Sequence, residues 1–446
     1  MAPSDDLNDA IGASAEGSTR EKVDRNWLRN LLRRHHDQYQ EQRRMSTSTS
    51  DEEKEDDILK DKALIVAPMV DQSDLPFRLL CRKHGANLAF TPMIHARLFI
   101  TKEAYKKKFW DFIHGTPKED RPLIAQFCGD DPNVLLEAAK SIEHHVDGVD
   151  LNCGCPQGIA RRGNYGAYLL EQADTLVNIV KTLSASLTIP VTVKVRLLPT
   201  GEARVEDSIR LYHRLVDAGA HMITVHGRTR LQKGRDTGKA DWDAIRQVVE
   251  AIGDRVPVIA NGGIENFDDV KACLRQTKAD GVMSSESILE YPPLFTNSHT
   301  ESTSRQRTGP GRIELSRDYI QYAKINPPNK GGQGSGLKCI RVHIHRFLHA
   351  DLQSTPNIRD LVCTAQSVEE LEQAIDLMEK IHNDAGHVVR EEQKSWYVRH
   401  RVVGEDGLSA QDRKFRKDSI MTCDEPEDDS AICVAAMFGN DDNGDY

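Results

Sequence analysis

The sequence predicts an α/β fold: a (β/α)8 TIM barrel, then a small all-α carboxyl-terminal domain, with disordered polar tails at both ends. Three observations carry this reading. Eight short apolar runs fall within about 230 residues, and helix-length amphipathic segments separate most of them. That alternation matches a barrel in count and in size, whereas a doubly wound sheet normally stops at five or six strands. Polar side chains recur at the carboxyl ends of the runs, where barrels gather their chemistry.

Taken in order, residues 1–57 form a polar extension. Within it, 21–44 has helical spacing: Trp27, Leu28, Leu31 and Leu32 share one face, while Arg25, Arg29, Arg33 and Arg34 make the segment cationic. Two readings stand for this helix, contact with RNA phosphates or docking against its own chain. The barrel is expected over 58–295, with strands at 64–69, 87–93, 123–129, 148–154, 191–197, 222–228, 256–263 and 280–286. Residues 296–336 turn rich in Ser, Thr, Gly, Pro and Asn and read as linker with one helical patch at 314–325. Helical spacing returns over 337–390, and 391–446 is a charged tail expected to be disordered.

Charge is unevenly placed. It is −3 over 1–20, −5 over 51–57 and −8 over 423–446 against −10 for the chain, so the remainder is +6. The expected folded part is mildly basic although the chain is acidic. Nine cysteines show no regular framework, and no run approaches the roughly 20 apolar residues that span a bilayer. The opening MAPSDDLNDA lacks the apolar core of a signal peptide. These features predict a soluble intracellular protein, cytoplasmic or nuclear, without a membrane partner and monomeric.

The chemistry centres on Val149–Leu170, which starts as a strand, passes through a loop punctuated by Pro156, Gly158, Gly163 and Gly166, and is expected to become helical only at Ala167. Cys155 stands on that loop at a strand's carboxyl end, unlike the cysteines on apolar faces, which read as core. The other strand ends supply Pro68, Met69, Gln126, Asn152, Lys194, Arg196, His226, Arg228, Asn261, Gly262, Gly263, Ser285 and Glu286. Seven polar strand ends in succession are costly unless something pairs with them. Glycines after strand seven let backbone N–H groups approach a phosphate, Lys194 places a cation beside an electron-rich ring, and Gln126 offers donors to ring heteroatoms. Flavin mononucleotide meets all three requirements, while a strand followed by GxGxxG is lacking. His343, His345 and His349 have no HExxH or carboxylate pair beside them, so surface or RNA contact is favoured over metal, and no metal site is expected.

At APMVDQSDLPFR, FTPMIHARLF, QFCG, DLNCGCPQGIARRGNYGAYLL, VKVRL, VHGRT and IANGGI the sequence resembles the flavin-dependent tRNA-dihydrouridine synthases. The resemblance covers about 62–290, and 337–390 corresponds to that family's tRNA-binding domain. CGCPQGIA and MIHARLF are similar to the eukaryotic branch acting on D-loop uridines 16 and 17. The resemblance implies reduction of uridine to 5,6-dihydrouridine with FMN and NADPH. Cys155 would donate the proton to C5, with hydride delivered to C6 from the other face. Pro68, Met69, Val70, Gln126, Lys194, His226, Asn261, Gly262, Gly263, Ser285 and Glu286 would hold the flavin. Asn152 would bond the uracil edge, and Arg161, Arg162, Arg228 and Arg230 would meet tRNA phosphates outside the mouth. Ser287 stands where the branch usually has glycine, which predicts an altered phosphate turn. A flavin oxidoreductase of a free pyrimidine and a non-catalytic RNA-binding protein remain the alternatives.

Overall fold

The computed structural model describes residues 26–34, 57–114, 117–199, 203–233, 237–296, 311–328 and 336–384. The disorder expected of 391–446 and of most of 1–57 falls outside the described residues. Among the described residues nine strands form one parallel sheet: β1 (Ala63–Val66), β2 (Leu88–Phe90), β3 (Ile94–His95), β4 (Leu123–Cys128), β5 (Gly148–Cys153), β6 (Val191–Leu197), β7 (Met222–Thr229), β8 (Val258–Asn261) and β9 (Gly281–Ser284). β1 pairs with both β2 and β9, and β2 also pairs with β4, so eight strands close into a barrel. The two-residue β3 only extends the sheet beside β4.

Strand alternation sorts the side chains. Val149, Leu151 and Cys153 of β5, and Val191, Val193, Val195 and Leu197 of β6, face the surrounding helices and join the main core. On the inner face, Ile65, Leu88, Phe90, Ile124, Met222 and Ile259 fill the amino-terminal end of the barrel. The helix at 27–34 closes that end. Its Trp27, Leu28, Leu31 and Leu32 are buried in the same apolar cluster, and Trp27 Nε1 donates to the His221 carbonyl at 2.9 Å. Its apolar face therefore docks on its own chain. Arg33 on the outer side pairs with Asp61, 2.7 Å away.

The helical patch expected at 314–325 is a full helix, Arg312–Ile325, which packs against the barrel helix Leu75–Lys83 and the later helices Leu337–Phe347 and Val368–Asp384. A buried polar cluster joins the two parts. Asp74, which precedes the barrel helix, accepts from Tyr319 Oη at 2.9 Å and lies 3.2 Å from His343 Nε2, while Cys339 Sγ donates to the Asp71 carbonyl at 3.0 Å. His343 stacks on Phe77 with centroids 4.6 Å apart and tilts against Tyr319. This corrects the surface reading of His343 and His345: both are buried, His343 between Phe77 and Tyr319 at the barrel, and His345 on the other side of the helix beside His349. Asp74, Cys339 and His343 bring ligand-type atoms within 4.8 Å of one another, and here they serve the junction between barrel and helices. No helix among the described residues is long and apolar enough to cross a membrane.

Candidate active site

The site begins with strand register. Gln126 of β4 lies opposite Asp150 of β5, Asp150 opposite Thr192 of β6, Asn152 opposite Lys194, and His226 of β7 opposite Asn261 of β8. Polar side chains thus occupy successive inward positions above the apolar bottom. After β5 the chain makes a short helix, Gly158–Arg162, then a 3-10 turn, Gly166–Glu171, before the long helix Ala173–Ser186. Regular structure therefore resumes earlier than the Gly and Pro content suggests. Gly166 has φ +68°, and a Cβ there would stand 2.6 Å from the Cys155 carbonyl oxygen, so the loop folds this tightly only with glycine.

Hydrogen bonds from three residues hold the Cys155 loop. Asn152 Oδ1 accepts from its backbone N–H at 3.0 Å and from that of Gly154 at 3.2 Å. Arg196 Nε donates to the Gly154 carbonyl at 2.7 Å, and Nη1 to the Thr229 carbonyl at 2.8 Å. The Cys155 carbonyl accepts from Ala167 at 3.0 Å. Burial pushes the Cys155 thiol up, against the lowering effects of the Gln157 backbone, Arg196 and Lys194, so it stays protonated at neutral pH. Burial and then Arg196 draw Lys194 down to about 8, which leaves it mostly cationic at pH 7.

Cys155 and Lys194 open on a cavity of about 1060 Å3 at the carboxyl end of the barrel, lined also by Gln126, Asn152, His226 and Asn261. Gly262 and Gly263 border it with φ +97° and +78°. A Cβ on Gly262 would lie 2.8 Å from the His226 ring, so the bare backbone is what leaves room there. Amide donors, a half-buried cation and exposed peptide edges around one slot fit a flat heteroaromatic group with an anionic tail.

The profile of the dihydrouridine synthase (Dus) family matches residues 65–385, nearly three quarters of the chain. The chain belongs to the dihydrouridine synthase family. Baker's yeast tRNA-dihydrouridine(16/17) synthase is 39% identical over 319 residues, covering 71% of this chain and 73% of the yeast protein. The fission yeast protein of the same name is 36% identical over 320 residues, covering 71% and 77%. A mouse tRNA-dihydrouridine(16/17) synthase-like protein is 39% identical over 316 residues, and the match spans 61% of its length.

In this dihydrouridine synthase most residues singled out from the sequence converge on the cavity: Pro68, Val70, Gln126, Asn152, Cys155, Lys194, His226, Asn261, Gly262, Gly263, Ser285 and Glu286 all line it. Met69 instead packs against the core. Arg161 and Arg162 are exposed on the short helix beyond Cys155, where phosphate contact is open to them. Arg230 sits over the Tyr168 ring at 5.1 Å and pairs with Glu171 at 2.9 Å. Arg228 is a correction. It is 5% exposed and lines the cavity, with Nε and Nη2 donating to the Gly238 carbonyl at 3.0 and 2.8 Å and Nη1 3.1 Å from His226 Nε2. Strand alternation put it inward beside His226 rather than outside the mouth. Ser287, where the sequence predicts an altered turn, lies in the helix Glu286–Glu290 with no positive φ and lines the cavity.

Two residues escaped assignment from the sequence. Arg196 was visible as a strand-end cation, but its work on the Cys155 loop depends on tertiary contact. Asp150 had a clearer signal: a carboxylate inside an apolar strand, two positions before Asn152 and hence on the same face.

Proposed function

We propose that this chain reduces uridine to 5,6-dihydrouridine in the D-loop of tRNA, using FMN and NADPH and acting as a monomer. The observation that carries the reading is the meeting of a protonated Cys155 thiol with the Lys194 cation and two pocket amides in one cavity, in a chain of the dihydrouridine synthase family.

Pro68, Gln126, Lys194, His226, Asn261 and the Gly262–Gly263 backbone would hold the flavin, with Ser285 and Glu286 at its edge. When bound, FMN supplies the hydride that saturates the uracil 5,6 bond. The chain's own part is proton delivery and orientation. Cys155 Sγ gives its proton to uracil C5, and its burial keeps that proton on sulfur until the base arrives. Arg196 and Asn152 keep the thiol loop in one place, so little ordering is left for the moment of reaction. Asn152 offers its amide to the uracil edge. Because the cavity lies at the bottom of the barrel mouth, a base in folded tRNA enters it only by leaving its stack. Arg161 and Arg162 then meet backbone phosphates outside.

An anaerobic titration of the purified protein with NADPH tests the cofactor: a visible flavin band should appear and bleach. Turnover is then compared on tRNA, free uracil and dihydroorotate. Dihydrouridine formed in tRNA alone supports the reading, and turnover of free bases alone overturns it.

A further inference from the structure

Below the Cys155 loop lies a carboxylate that none of these roles employs. Asp150 is fully buried in the middle of β5. Its Oδ1 accepts from Thr192 Oγ1 at 2.6 Å and its Oδ2 from Gln126 Nε2 at 2.8 Å. Gln126 Oε1 in turn accepts from Asn152 Nδ2 at 2.8 Å, and Asn152 Oδ1 accepts from Cys155 N at 3.0 Å. The order of donors along this chain is not arbitrary. An ionised carboxylate only accepts, so Gln126 must turn its NH2 towards Asp150 and its oxygen towards Asn152. Asn152 must then present NH2 to Gln126 and oxygen to the Cys155 loop.

We propose that Asp150 is a positioning residue for the reduction: its anion dictates, through Gln126 and Asn152, which way both cavity amides point and where the Cys155 loop sits. The proposal rests on the reading of the cavity as a uridine-reducing site. One N–H of each amide is spent on the chain and the second remains for the cavity that both residues line. A protonated or amide side chain at position 150 offers a donor as well as acceptors, so Gln126 can turn over. Asn152 then meets an NH2 group, and the Cys155 amide loses its acceptor.

The titratable groups acting on Asp150 are Lys194 from β6 and Cys153 from its own strand. Burial raises Asp150 to about 6, opposed by the Thr192 and Gln126 hydrogen bonds and by the Lys194 charge. The lock is therefore closed above that pH and opens below it.

The test uses the full-length protein as wild type, Asp150→Asn, Asp150→Asn with Gln126→Glu, and Thr192→Val. Three readouts are taken: tRNA reduction with NADPH against pH, the visible spectrum of the FMN complex, and the iodoacetamide alkylation rate of Cys155 in flavin-free protein. Asp150→Asn should slow tRNA reduction by about tenfold at pH 7.5, abolish the acid limb near pH 6, shift the flavin band and alter Cys155 alkylation. In the double variant a carboxylate at 126 accepts from both neighbouring amides. Asn152 is turned back, and the alkylation rate should return towards wild type. Thr192→Val removes a hydrogen bond that favours the anion, so the acid limb should move to higher pH. An Asp150→Asn enzyme within about twofold of wild type that keeps the acid limb overturns the proposal. So does a limb that Thr192→Val leaves in place, even where Asp150→Asn does not fold. A wild-type protein that binds no FMN sinks the functional reading instead, and the alkylation rates still decide the lock.

Discussion

On β4 the inward side chains run from Ile124 to Gln126, on β7 from Met222 through Thr224 to His226, and on β8 from Ile259 to Asn261. The same strands thus build two opposite interiors. At the amino-terminal end Trp27, Leu28, Leu31 and Leu32 complete a dry cluster in which the side chains gain by leaving water. At the carboxyl end Asp150, Gln126 and Arg196 are buried and Lys194 is half-buried, at a cost that hydrogen bonds offset only in part, because the charged forms of Asp150, Lys194 and Arg196 are all disfavoured there. One end is organised for stability, the other for a reaction. Substitutions at the mouth should damage turnover while sparing the fold, and substitutions at the bottom should do the reverse.

The largest effect tests the mouth. Cys155→Ala should lower turnover on tRNA by about 10²- to 10⁴-fold, the range for a positioned acid, while flavin and tRNA binding persist. Single-turnover kinetics beside equilibrium binding check it, and an unchanged rate removes Cys155 from its role. Trp27→Ala tests the other end. It should cost about 3 kcal/mol of stability through the cavity left under the plug, read from urea unfolding, with kcat of the remaining folded enzyme unaltered. A large loss of kcat at full stability would mean that the two ends are coupled.

A third measurement tests the claim that the mouth holds disfavoured charge. The folded-state pKa of Asp150 lies above its unfolded value of 3.8, so the native state binds that proton more tightly. Its ionisation therefore costs stability progressively as pH rises from about 4 through about 6, and fully above. Asp150→Asn should gain on wild type over that window by on the order of 2–3 kcal/mol, while losing activity. A stability difference independent of pH between 4 and 7 would contradict this. The smallest effect is expected at Arg33→Ala, whose ion pair with Asp61 is exposed enough to contribute less than about 1 kcal/mol, and raised salt should shrink it further.

Much of this was legible in the chain itself. The eight barrel strands lie within or beside the apolar runs, since a strand buried on both faces has to be continuously apolar apart from its functional tip. Cys155 stood out because a loop of Pro and Gly is a poor place for a packing cysteine. The face of Trp27, Leu28, Leu31 and Leu32 was visible at helical spacing, but its partner was not. Nothing local says that an apolar stripe near the chain's start will close a barrel whose strands begin some thirty residues later.

What the sequence by itself determined is periodicity and chemical type: which segments are strands or helices, which tips are polar, and that Cys155 lies outside the core. Those follow from backbone alternation and from the cost of burying polar groups, both properties of neighbouring residues. Only the tertiary structure decided who answers whom. Arg228 turned inward to His226, His343 met Asp74 where the later helices pack on the barrel, and Asp150 set the direction of Gln126 and Asn152. Hydrogen-bond partners are chosen by strand register and helix docking, and those depend on contacts between residues far apart in the chain.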